Sequence, residues 1–169
     1  MTKKRKILVI AAVILLVLVV ASFCLTRGHY IGETREELYE NLDAAKKGAA
    51  MHGGWIPQIL PESAYDIYVA YDLDTNNVWA RFRFDKRDIN RLIRETIEVN
   101  RTGLDKIEFA SSRFKWWPQN LKRQFLERRQ DLNLYRYDEI FTYADNRQET
   151  ISSFFIIDME SDTAYYWRP

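Results

Sequence analysis

The chain has 169 residues, with 25 Lys and Arg against 24 Asp and Glu and a formal net charge of +1. Four of the cations precede residue 7 and every acid lies at Glu33 or later, so the remainder carries 21 cations against 24 acids. That balance excludes the basic surface a dedicated nucleic-acid binder needs. Cys24 is the single cysteine, so the residues after it can form no internal disulfide and offer no thiol chemistry or Cys-based metal site.

The first predicted element is a membrane span. Ile7 to Leu25 is an uncharged run of 19 residues that follows Lys3-Lys4-Arg5-Lys6. As a helix it is about 28 Å long, close to the hydrocarbon thickness of a bilayer. The positive-inside rule places the N-terminus in the cytoplasm. A cleaved signal peptide would have a shorter apolar core, and an acylated Cys24 would want a small residue where Phe23 stands, so an uncleaved anchor is the expectation. The predicted organisation is a cytoplasmic tail at 1–6, a transmembrane helix at 7–25, a connector at 26–32 and one extracytoplasmic domain at 33–169.

Within the domain, Thr34 and Glu37 fit a capping box, and Leu38, Leu42, Ala45 and Ala49 form a sparse stripe, which predicts a helix from 33 to 51 ended by Gly53-Gly54. The following segment, with Pro57 and Pro61, reads as an apolar loop packed on the domain. Tyr65, Ile67, Val69, Tyr71 and Leu73 alternate, Asp74 to Asn77 is a turn, and Val78, Ala80, Phe82 and Phe84 alternate with Trp79, Arg81 and Arg83. This predicts an antiparallel hairpin with one buried and one partly wet face. Ile89, Leu92, Ile93, Thr96 and Ile97 mark an amphipathic helix that should pack on the buried face. A short strand near Lys106–Phe109, a helix opened by Pro118, and strands near 135–143, 151–158 and 163–168 complete the pass. VAYDLDTNNVWARF and FIIDMESDTAYYWRP echo each other, which tight-turn chemistry explains more simply than duplication. The expected fold class is α+β: after the transmembrane helix, one domain with an antiparallel sheet of about five strands, its helices near 86–100 and 119–130 covering one face.

Gly54-Trp55-Ile56-Pro57, Leu60-Pro61 and Ser63-Ala64 form the pattern GWIP-x-x-LP-x-SA, followed by Asp74-Thr75-Asn76, Val78-Trp79 and Phe82-x-Phe84. Over these roughly 30 residues the chain resembles a group of small bacterial envelope proteins, membrane-anchored or lipoprotein-like. The resemblance implies an exported, anchored bacterial domain, and the expected location is the bacterial cytoplasmic (inner) membrane. It implies no active-site residue.

No constellation in the chain points strongly to catalysis. His29 and His52 lack metal-ligand spacing, and no glycine-rich loop opens a helix. Asp72 and Asp74, and Asp158, Glu160 and Asp162, sit in turns where aspartate serves the backbone; hydrolysis or Ca²⁺ binding there is the weaker interpretation. No cofactor and no metal is expected. The candidate binding residues are Trp79, Arg81 and Arg83 on one strand face, with adjacent Trp116 and Trp117, because exposed Trp beside Arg is typical of interaction hot spots. The functional expectation is a single-pass envelope protein held in lipid by residues 7–25, whose domain binds an unidentified envelope protein and no nucleic acid. The alternatives are an aromatic-lined glycan-binding domain and, below that, a carboxylate-dependent hydrolase.

Overall fold

The computed structural model describes residues 34–99, 104, 106–110, 112–127, 132–142 and 146–169. The predicted span at 7–25 and the connector at 26–32 lie outside these. Among the described residues no helix is long and apolar enough to cross a membrane. The elements are β1 (Thr34–Asn41), α1 (Leu42–Lys47), α2 (Ala49–His52), β2 (Tyr65–Asp72), β3 (Val78–Arg83), a 3-10 turn (Lys86–Asp88), α3 (Ile89–Arg94), β4 (Ile97–Glu98), α4 (Leu121–Glu127), β5 (Leu132–Thr142), β6 (Gln148–Asp158) and β7 (Thr163–Arg168). The strands form a seven-stranded sheet in the order β1-β2-β3-β7-β6-β5-β4, with every pair from β2 to β4 antiparallel.

This overturns the expected α+β layout of about five strands with helices on one face. The molecule is mostly sheet, and its longest described helix has seven residues. The helices also cover both faces. Ile89 and Leu92 of α3 pack with Phe82, Phe84 and Tyr166 in one core, together with α1, α2 and the loop from Ile56 to Ala64. Leu121 and Phe125 of α4 pack with Phe154, Ile156 and Trp167 in another, across the sheet. Strands β6 and β7 are therefore covered on both sides, whereas β3 is buried on one side and joins the second core only through Trp79. Each large apolar side chain so buried contributes about 1.5–3 kcal/mol.

The predicted helix at 33–51 is the largest error of detail. Residues 34–41 form the edge strand β1 instead. Alternation places Glu37 and Tyr39 on the side of Tyr71, whose hydroxyl donates to Glu37 Oε1 at 2.6 Å, while the Tyr39 hydroxyl donates to Glu37 Oε2. That tertiary network outweighs a local helix preference of a few tenths of a kcal/mol per residue. The N-cap is Asn41, whose Oδ1 accepts from the Ala44 N–H at 2.9 Å, and not Thr34. Exposed Arg35, Glu36 and Glu40 charge the outer strand, which discourages further edge pairing. Gly48 then separates α1 from α2: its ψ of 160° breaks the helix, and a Cβ there would lie 2.2 Å from Tyr39 Oη. Of the segment Lys106–Phe109, none is strand.

The two echoing segments fold alike. Asp72 Oδ1 accepts from the N–H groups of Asp74 and Thr75, both at 3.0 Å, and Asp158 Oδ1 accepts from those of Glu160 and Ser161 at 3.0 and 3.2 Å. Asn76 and Asp162 both have positive φ, at 59° and 53°. Their hairpins meet along β3 and β7, where Ala80 opposes Tyr166, Trp79 opposes Trp167 and Arg81 opposes Tyr165. Aligned on Asp72 and Asp158, Ala80 corresponds to Tyr166, so the register is that of a local two-fold axis through this pair. The axis makes the cross-strand pair Tyr68–Arg81 equivalent to Phe154–Trp167.

Candidate interaction surface on the β2–β3 face

The strand β3 turns Val78, Ala80 and Phe82 into one core and presents Trp79, Arg81 and Arg83 to the other side. On β2 the register slips between Tyr65 and Tyr68, at Asp66 with φ of 48°. A bulge of this kind puts one extra residue into the strand and moves everything before it to the opposite face. Tyr65, predicted to share a face with Ile67 and Val69, instead opposes Arg83. The slip therefore builds a ladder of two tyrosines against two arginines. The Arg81 guanidinium carbon lies 4.4 Å from the Tyr68 ring centroid, and that of Arg83 lies 5.2 Å from the Tyr65 centroid.

The segment before α4 closes one end of the ladder. Phe114 is buried and meets Trp79 edge-on at 5.6 Å. Trp116 lies parallel on Phe114 at 5.4 Å, contacts Tyr68 at 5.7 Å, and donates its Nε1–H to Glu36 Oε2 at 3.2 Å. Of the five residues predicted for this surface, the structure brings Trp79, Arg81 and Trp116 around one tyrosine–phenylalanine group, with Arg83 at its outer end. Trp117 points inward: it is 2 % exposed, donates to the Ala110 carbonyl at 3.2 Å and packs edge-on against Tyr165. Trp79 is half-buried, so it supports the surface from beneath.

Two polar facts distinguish this surface. First, among the described residues, neither Arg81 nor Arg83 has a carboxylate partner or a hydrogen bond. Second, Arg81 Nε and Trp79 Nε1 are buried donors without an acceptor among the described residues. A buried unpaired donor costs about 1–3 kcal/mol. At the position equivalent to Arg81 and Tyr68, the second hairpin places Trp167 and Phe154, stacked at 5.4 Å and covered by Phe109. One half of the sheet uses this pair as core; the other sets a guanidinium on a tyrosine there.

Elsewhere the aromatics are structural. Trp55 stacks on Tyr71 at 4.8 Å, and Arg168 lies over the Trp55 ring at 5.4 Å while donating to the Gly54 carbonyl at 3.2 Å. Ile56, Pro57, Leu60, Pro61 and Ala64 are buried, so the GWIP-x-x-LP-x-SA segment is a packed strap. Burial pushes the Tyr166 phenol up to about 12, and burial followed by the Glu37 carboxylate raises that of Tyr71. Among the described residues, no three His, Cys, Asp or Glu side chains come together as a metal site.

One comparison bears on the part of the chain that carries β2 and β3. Residues 33–83 match the family model of the YbbD head domain. The YbbD-head match covers less than a third of the chain and runs from β1 to the end of β3, so it includes Tyr65, Tyr68, Trp79, Arg81 and Arg83 but not Trp116 or Trp117. It supports a small bacterial envelope-type family; the GWIP-x-x-LP-x-SA pattern itself is not tested by it. No curated protein and no solved structure matches the chain.

The sequence missed Tyr65, Tyr68, Glu36 and Phe114. Tyr68 was recoverable, because a hairpin closed by Asp72 and Asn77 sets it opposite Arg81. Tyr65 was not, because the bulge has no composition signal, and Glu36 was hidden by the helix expected there.

Proposed function

We propose that this chain is a single-pass, membrane-anchored bacterial envelope protein whose domain binds another protein through the Tyr65–Tyr68–Arg81–Arg83 face. The observation that carries this is the pair of arginines lying over cross-strand tyrosines without an acid partner among the described residues. Arginine flanked by aromatic side chains is the composition of interaction hot spots. The uncharged run at 7–25 and the YbbD-head match support an anchored envelope location.

Glycan stacking has less support. Such a site needs an uncovered aromatic ring face. Here Trp55 is in contact with Tyr71 and Arg168, Trp116 with Phe114 and Tyr68, and Trp167 with Phe109 and Phe154. The hydrolase reading has less support, since two of its five carboxylates, Asp72 and Asp158, hold their own turns.

The test is chemical crosslinking in intact cells, comparing the unaltered protein with Arg81→Gln/Arg83→Gln. Adducts that disappear in the variant, while its level and melting temperature hold, are the expected result. Adducts unchanged by the variant would count against this face.

A further inference from the structure

The stacked arginines also indicate what kind of partner the face takes, an inference that rests on the interaction reading above. A guanidinium lying on an aromatic ring has one planar surface satisfied, while the N–H groups in its plane are not used by the ring. Those groups match a carboxylate, which they can bind through two parallel hydrogen bonds. Arg81 and Arg83 are two residues apart on one strand, so their side chains leave the same face about 6.6–6.8 Å apart along β3. The same spacing separates alternate side chains of any extended peptide. Among the described residues, neither arginine is paired with a carboxylate. The Arg81 Nε is out of water and has no acceptor among the described residues, so the terminal Nη groups are the donors left to meet a carboxylate.

We infer that the Arg81–Arg83 ladder receives an extended acidic peptide segment of a partner protein, with carboxylates at alternate positions. Tyr65, 36 % exposed and beside Arg83, would contact the side chains that flank the acids. Glu36, held by Trp116, stands at the closed end of the ladder and would repel an acid placed beyond Arg81. The site is thereby limited in length as well as in charge.

The probe is a fluorescent peptide of about ten residues alternating Glu and Ser, measured by anisotropy against the purified full-length protein. A peptide of equal composition with its Glu and Ser in two blocks is the first control, and phosphatidylglycerol vesicles are the second. Arg81→Gln/Arg83→Gln should weaken the alternating peptide by about tenfold or more, and Arg83→Gln alone by a smaller factor. Arg91→Gln/Arg94→Gln, which removes two cations from α3, should leave binding unchanged. Preference for the alternating over the block peptide, lost with the ladder arginines, establishes the inference. Equal binding of the two peptides, equal loss in both double variants, or arginine-dependent binding of vesicles without peptide overturns it. So does absence of peptide binding by a protein whose Arg81- and Arg83-dependent crosslinks persist in cells; that result leaves the interaction reading standing and removes only the acidic-peptide assignment.

Discussion

Gly48→Ala separates the observed architecture from the helical one by the sign of its effect. In a continuous helix over 33–51, replacing an interior glycine by alanine stabilises by about 1 kcal/mol, since glycine loses more chain entropy and exposes more backbone. In the structure, Gly48 sits at the break between α1 and α2, and an alanine Cβ would lie 2.2 Å from Tyr39 Oη and 2.3 Å from its Cε1. Tyr39 is 9 % exposed, its hydroxyl is bonded to Glu37, and it accepts from the Ala50 N–H at 3.4 Å, so the ring cannot swing aside without losing those partners. Overpacking of this kind costs about 1–3 kcal/mol. Urea denaturation should therefore show a lower midpoint with an unchanged slope. The Tyr39→Ala background supplies the internal check: with the ring gone, Gly48→Ala should cost almost nothing, a coupling of about 1 kcal/mol or more. A stabilised Gly48→Ala protein would refute both the helix break and the strand assignment of residues 34–41.

Further expectations concern the core, the turns and titration. Phe82 is fully buried, so Phe82→Ala should cost about 3–5 kcal/mol, whereas exposed Arg83→Ala should cost under about 0.5 kcal/mol; thermal melts compare the two. Asp158→Ala should destabilise more than Asp72→Ala, because Asp158 is 4 % exposed and Asp72 is half-buried, although both hold equivalent turns; the same melts test it. The Arg87 guanidinium and N–H hold the Asp85 carboxyl at about 2, so its contribution is present above the ordinary carboxylate range and lost as pH falls toward 2; a carbon-detected NMR titration should show the depressed midpoint, returned upward by Arg87→Gln. The buried Tyr166 phenol, at about 12, favours the folded state fully below pH 10 and loses that contribution as pH rises through 12; ultraviolet titration should show one phenol that ionises last or only on unfolding.

Local chemistry in the sequence was sufficient for the hairpins and insufficient for their setting. Asp72 to Asn77 and Asp158 to Thr163 announce their turns, and the alternation through Val78–Phe84 gave both faces of β3 correctly. The strand β1 was illegible because Glu37, which also accepts from Tyr39, finds its other partner in Tyr71, more than 30 residues later. The position of α4 on the second face was equally hidden: Leu121 and Phe125 suit either face, and only the aromatic layer of Phe154 and Trp167 decides. At the candidate surface, Arg81 and Arg83 were visible as cations on a strand. Their tyrosine platforms depended on cross-strand register and on the bulge at Asp66, which side-chain pattern alone does not encode.

Position-resolved photocrosslinking in intact cells tests the central claim most directly. A photoreactive residue in place of Tyr65 or Arg83 lies on the ladder, whereas one in place of Lys46 or Glu160 is exposed elsewhere on the domain. A discrete protein adduct from the first two positions and none from the last two is the predicted result. Adducts from Lys46 or Glu160 with none from Tyr65 and Arg83 would contradict the assignment of the β2–β3 face as the binding surface.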